Sequence, residues 1–149
     1  MTPKPKILWV DDTFVNELHD VMSYEDELKY SGGFDIVKIA HVDEAVDILD
    51  KEETFVCIIL DMMMPYGKQF KARETENGFK TGIVLAKKIQ GMDKYAKVPI
   101  VLLTGVRNIY EALAKRNNSF PCYFKANIST VGFWKVIQKE INNQTGDNS

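Results

Sequence analysis

Cys57-Ile58-Ile59-Leu60-Asp61-Met62-Met63-Met64-Pro65 is the stretch whose reading decides the fold. An apolar run this short suits a strand buried on both faces, since a helix of similar burial needs more length. Asp61 stands where that strand leaves the core, and Pro65 stops its continuation. A carboxylate there is costly unless something meets it, so the remaining chain is read for what does.

Toward the N-terminus, Lys6 to Val10 forms a first apolar run that ends on Asp11-Asp12. Thr13 is read as the cap of a helix carrying Phe14, Leu18, Val21, Met22 and Leu28, to about residue 29. Ser31-Gly32-Gly33 breaks it, and Phe34 to Ala40 makes a second strand. Val42, Ala45, Val46 and Leu49 recur at one-face helical spacing. The third strand, Phe55 to Leu60, delivers Asp61. Beyond Pro65, residues 66–81 are polar with no clean period, and Gly82, Leu85, Ala86, Ile89 and Met92 resume a helical stripe. Ile100 to Leu103 is a fourth strand ending on Thr104-Gly105, and Ile109, Ala112 and Leu113 mark a helix closed by Asn117-Asn118-Ser119. Cys122 to Phe124 is a fifth strand ending on Lys125. Ser129 or Thr130 caps a last helix, whose core face is read as Trp134, Ile137 and Ile141.

Strands alternating with helices call for an α/β fold: a doubly wound, five-stranded parallel sheet with helices on both faces. The flavodoxin-like order 2-1-3-4-5 is the common choice for five such units. The 149 residues suit one domain, with a core over about 5–142, an insertion at about 66–81 and a polar tail at 143–149. A net charge of −2 argues against nucleic-acid partners. No apolar run approaches membrane-spanning length and residues 1–6 lack a signal-peptide core, so the expected compartment is the cytoplasm, with no membrane partner. Cys57 and Cys122 are read as buried hydrophobes. With strand four between theirs they lie roughly 10 Å apart, beyond disulfide reach.

In a parallel sheet, Asp11 and Asp12, Asp61, Thr104 and Lys125 all fall at one edge, which is where such sheets bind ligands. Strands one and three are neighbours across the point where the winding reverses, so three carboxylates converge. They repel unless a cation joins them, and an all-oxygen set suits Mg²⁺. A lysine and a hydroxyl beside them can hold phosphoryl oxygens, and an aspartate can form an acyl phosphate without a general base.

With Leu8-Trp9-Val10-Asp11-Asp12, Leu60-Asp61-Met62-Met63-Met64-Pro65, Ile100-Val101-Leu102-Leu103-Thr104-Gly105 and Phe124-Lys125 in this order, the chain resembles the receiver domain of two-component response regulators. The resemblance implies that Asp61 accepts a phosphoryl group from a histidine kinase or a histidine phosphotransfer protein. It implies Mg²⁺ on Asp12, Asp61 and the backbone carbonyl of Met63, with Asp11 acting through water. Thr104 and Lys125 would contact the phosphoryl oxygens and drive a two-state surface read by an unknown downstream protein. The chain is expected to act as a stand-alone phosphorelay module with slow self-dephosphorylation rather than as an enzyme.

Two places depart from the family pattern. Ala126 follows the lysine where a proline is common, and Cys122 stands where an aromatic usually moves with the threonine. In addition, sixteen residues separate Pro65 from Gly82. They include Lys68, Lys71, Arg73 and Lys80 against Glu74 and Glu76, and are read as a candidate partner loop or a plain surface insertion. Phe133 and Val136, off the presumed core face of the last helix, are read as a candidate interface for a partner or homodimer. A phosphorylation-independent scaffold is the alternative reading. An aspartyl phosphohydrolase of the haloacid dehalogenase type is disfavoured because Met63 stands where a second aspartate is needed.

Overall fold

In the computed structural model of this protein, residues 3–16, 22–51, 54–115 and 120–144 are described. Five parallel strands, β1 (Lys6–Val10), β2 (Asp35–Ile39), β3 (Cys57–Asp61), β4 (Ile100–Thr104) and β5 (Cys122–Phe124), form one sheet in the order β2-β1-β3-β4-β5. Five helices accompany them: α1 (Met22–Tyr30), α2 (Val42–Asp50), α3 (Thr81–Gln90), α4 (Arg107–Lys115) and α5 (Thr130–Gln144). The expected doubly wound flavodoxin-like sheet is therefore the observed one.

Two apolar cores follow from strand alternation. Ile7, Trp9, Cys57, Ile59, Val101 and Leu103 point to the face covered by Leu28 of α1 and by Phe133 and Ile137 of α5. Leu8, Val10, Ile58, Leu60, Ile100 and Leu102 point to the other face, where α2 and α3 bring Val46, Leu49, Leu85 and Ile89 and α4 adds Ile109. Each central strand is thus buried on both sides. That is why its sequence reads as a continuous apolar run rather than an alternating one.

Three sequence readings are corrected here. Thr13 does not open a long helix: residues Asp12–Val15 form one 3-10 turn, which Asp11 caps by accepting from the Thr13 amide at 3.0 Å. The chain then turns extended at Asn16. Leu18 and Val21 lie outside the described residues, as does the Asn117-Asn118-Ser119 helix end. On α5 the core face read at Trp134, Ile137 and Ile141 is wider by Phe133: Ile137 is fully buried and Trp134 and Ile141 pack against the same core. Phe133 is 0 % exposed, packed on Trp9 and Tyr24, whereas Trp134 is half-buried against Phe34. A docking strip through Phe133 is excluded by this burial, and Val136 is itself half-buried. Third, the insertion read at about 66–81 as polar and without a period is packed onto the body of the fold. Phe70 and Thr75 are buried, and the amides of Lys68 and Gln69 donate to the Asp43 carboxylate on α2 at 3.0 Å.

Candidate functional site

The carboxyl ends of β1, β3, β4 and β5 carry the site. Asp61 is the last residue of β3 and 7 % exposed; Asp11 follows β1 and is fully buried, its amide bonded to the Ile39 carbonyl at 3.0 Å. Asp12 opens the short turn and is half-buried. Carboxylate oxygens of Asp11, Asp12 and Asp61 all lie within 4.8 Å of one another. Among the described residues this is the one cluster of three or more acidic, histidine or cysteine ligands close enough to share an ion.

Both oxygens of Asp11 are engaged. Oδ1 accepts from the amide and hydroxyl of Thr13 at 3.0 and 2.8 Å, and Oδ2 accepts from the Lys125 ammonium at 3.2 Å. Asp12 lines the recess beside the site, while Asp61 sits buried behind it at the strand end. Burial, then the charges of Asp11 and Asp12, pushes the Asp61 carboxyl up to about 8, against the pull of Lys125. Burial and Asp11 raise Asp12 as well, while a hydrogen bond with Asp61 and the Lys125 charge act the other way. Three carboxylates with one lysine cannot all ionise comfortably, and a divalent cation removes that conflict. An all-oxygen donor set of this kind fits Mg²⁺.

Thr104, the last residue of β4, is fully buried, and its hydroxyl oxygen accepts from the Val106 amide at 3.1 Å. Lys125 begins a 3-10 turn, Lys125–Asn127, directly after β5. The topology thus gathers Asp11, Asp12, Asp61, Thr104 and Lys125 along one edge of the sheet. Met63 lies just beyond, 38 % exposed. It lines an open recess of 510 Å³ with Asp12, Tyr66, Asn77 and Gly78, so both ends of the insertion border a cavity that one member of the acidic cluster, Asp12, also lines.

Packing at the end of β3 fixes where Asp61 sits. The Gly82 amide donates to the Met62 carbonyl at 2.8 Å, and a β-carbon at Gly82 would run into the Asp61 carbonyl oxygen. Only glycine lets α3 approach this closely. The Thr81 hydroxyl, buried, donates to the Met64 carbonyl at 2.6 Å and ties the insertion to the strand end. Lys68, Lys71 and Arg73 are carried on that insertion. Its acids are exposed but locally engaged: Glu74 accepts from the Lys71 amide at 2.8 Å and Glu76 pairs with Lys80 at 3.0 Å.

Sequence reasoning gave no site role to three residues around the site. Tyr24 reaches it from α1 over a separation of about a hundred residues, with no local signal. Phe124 stacks on Tyr110 of α4 at 5.8 Å, and the Arg107 guanidinium lies 5.1 Å from its ring centroid, so an aromatic does sit next to Lys125, two positions after Cys122. Thr81 was hidden in a polar stretch. Cys57 and Cys122 are both free; burial raises both thiols, Cys122 to about 11, and so disfavours the thiolate at neutral pH.

No protein-family model matches this chain, and no curated protein matches it in sequence. Solved structures do. A CheY-like response regulator receiver domain protein from Methanospirillum hungatei is 14 % identical with a TM-score of 0.68, over 98 % of this chain and 100 % of that one. The receiver domain of a sensor histidine kinase from Pseudomonas aeruginosa, with a magnesium ion in its active-site cleft, is 16 % identical with a TM-score of 0.62, over 94 % and 99 %. The phosphorylated cyanobacterial phytochrome response regulator RcpA is 16 % identical with a TM-score of 0.63, over 99 % and 98 %. The fold is that of response regulator receiver domains. No helix among the described residues is long and apolar enough to cross a membrane.

Proposed function

We propose that this protein is a response regulator receiver that accepts a phosphoryl group on Asp61 from a histidine kinase or phosphotransfer protein, with Mg²⁺ as cofactor. The observation that carries the reading is the meeting of three carboxylates within 4.8 Å at the sheet edge, with Lys125 paired to one of them and Thr104 at the adjoining strand end.

Asp12 and Asp61 would hold the ion directly, with the Met63 carbonyl as a third ligand. Asp11, already committed to Thr13 and Lys125, would act through water. When bound, the ion would supply charge neutralisation and so favour the ionised form of Asp61 at neutral pH despite its raised pKa. An Asp61 oxygen then attacks phosphorus, forming a P–O bond as the donor's P–N bond breaks and its electron pair leaves on the imidazole nitrogen. Lys125 and Thr104 bind the phosphoryl oxygens. Lys68, Lys71 and Arg73 are exposed on the insertion, whose ends line the recess, and are the candidate contacts for a donor protein. Downstream output runs through protein contact.

The test is intact-mass spectrometry after incubation with Mg²⁺ and acetyl phosphate. A single phosphoryl-sized increment that chelator prevents supports the reading. No increment with acetyl phosphate or phosphoramidate would leave a phosphorylation-independent scaffold in its place.

A further inference from the structure

The hydroxyl of Tyr24, on α1, lies 2.7 Å from the carbonyl oxygen of Lys125 and 2.8 Å from that of Ile128. These two carbonyls bracket the Lys125–Asn127 turn, with Ile128 as its extended C-cap. A phenol has one proton to donate, so both acceptors share it and the hydroxyl sets the span between them. The ring itself is fixed, edge to face on the fully buried Phe133, with centroids 5.5 Å apart and planes at 88°.

The turn has need of such a clasp. β5 is a three-residue edge strand bonded to β4, and its pairing ends at Phe124, one residue before the lysine. Ala126 leaves the backbone after Lys125 without the restraint a ring would impose. The ammonium is nevertheless required 3.2 Å from Asp11, at the end of a flexible four-carbon stem. Drift of the turn moves the root of that side chain and widens the range the ammonium samples.

We propose that Tyr24 is a positioning residue for Lys125: its hydroxyl ties α1 to the lysine turn and so holds the ammonium where the phosphoryl group on Asp61 will need it. The inference rests on the phospho-acceptor reading above. It makes α1 part of the chemical site rather than a covering helix, through a contact that joins the two ends of the chain's fold.

Tyr24→Phe keeps the ring on Phe133 and deletes only the donor. Phosphorylation rates with acetyl phosphate and Mg²⁺ affinities are to be measured for the wild type, Tyr24→Phe, Lys125→Met and the double variant. Loss of the hydroxyl is expected to slow phosphorylation roughly five- to tenfold, the scale of one neutral hydrogen bond. Mg²⁺ affinity should stay within about twofold, and the slowing should vanish in the Lys125→Met background, because Tyr24 acts through the lysine. A Tyr24→Phe protein that loses thermal stability but is phosphorylated at the wild-type rate overturns the inference. So does a slowing that persists undiminished in Lys125→Met. A wild type that takes up no phosphoryl group overturns the reading of Asp61 itself, and this inference with it.

Discussion

Asp61→Asn should make the metal-free protein more stable while depriving it of most of its response to Mg²⁺. Asp61 is 7 % exposed, and burial together with Asp11 and Asp12 raises its carboxyl to about 8, with Lys125 opposing. Its value in the folded protein lies above that of the unfolded chain, so folding takes up a proton between the two. The stability this confers is complete below the ordinary aspartate range and is lost as pH rises through about 8. Each pH unit in that window is worth ~1.4 kcal/mol, so by neutral pH the loss relative to acid approaches ~4 kcal/mol. Asparagine has no charge to bury, so the variant should recover up to about that amount at pH 7. Urea unfolding from about pH 5 to about pH 9 tests this, in chelator and in Mg²⁺. In chelator the wild type should weaken across the range, and Asp61→Asn should be flatter and more stable at the alkaline end. Mg²⁺ should stabilise the wild type strongly and the variant weakly. A variant less stable than wild type in chelator near pH 8, or a wild type indifferent to pH, would refute the reasoning.

Gly82→Ala should destabilise by about 2–3 kcal/mol and weaken Mg²⁺ binding, since the added methyl pushes on the Asp61 carbonyl; paired denaturation and titration check it. Glu25, buried on α1, pairs with Lys29 at 2.8 Å and Lys38 at 3.1 Å. Burial raises its carboxyl, but the hydrogen bonds and charges of the two lysines outweigh this and leave it lowered. Its contribution is therefore present above the ordinary glutamate range and lost on acidification through the depressed value. Glu25→Gln should cost about 1–3 kcal/mol at neutral pH, with the gap to wild type narrowing in acid unfolding curves. Lys68→Glu, Lys71→Glu and Arg73→Glu combined should slow phosphotransfer from a histidine phosphotransfer protein about tenfold or more at low salt and leave acetyl phosphate unaffected. Equal slowing with both donors would remove the insertion from partner recognition.

The sheet was legible because its strands are short apolar runs, each ending on a residue unsuited to a core. Asp11, Asp61, Thr104 and Lys125 mark the carboxyl edge, and parallel topology brings them together whatever the intervening chain does. What escaped the sequence was long-range or degenerate. The stripes 134/137/141 and 133/137 both satisfy helical spacing; packing of Phe133 between Trp9 and Tyr24 joins the second to the first. The first helix was extended too far back because Asp11 and Thr13 both have capping chemistry, and the extended Asn16 carries no strong breaker signal. The packing of the insertion was not legible because its buried side chains, Phe70 and Thr75 among them, make no period. Its order comes from backbone groups, including the left-handed Glu76 and Asn77 and the Gly78 carbonyl that accepts from Met64 at 3.2 Å. Charge-reversal at its exposed lysines is accordingly a cleaner test than deleting it, which would uncover the core beneath Phe70.

The central claim is that Asp61 becomes an acyl phosphate. Borohydride reduction of the phosphorylated protein converts an aspartyl phosphate to homoserine, and proteolysis followed by mass spectrometry locates it. The account predicts homoserine at position 61 alone, formed with Mg²⁺ and absent with chelator. Homoserine at position 11 or 12, or none anywhere under conditions that phosphorylate the protein, would contradict it.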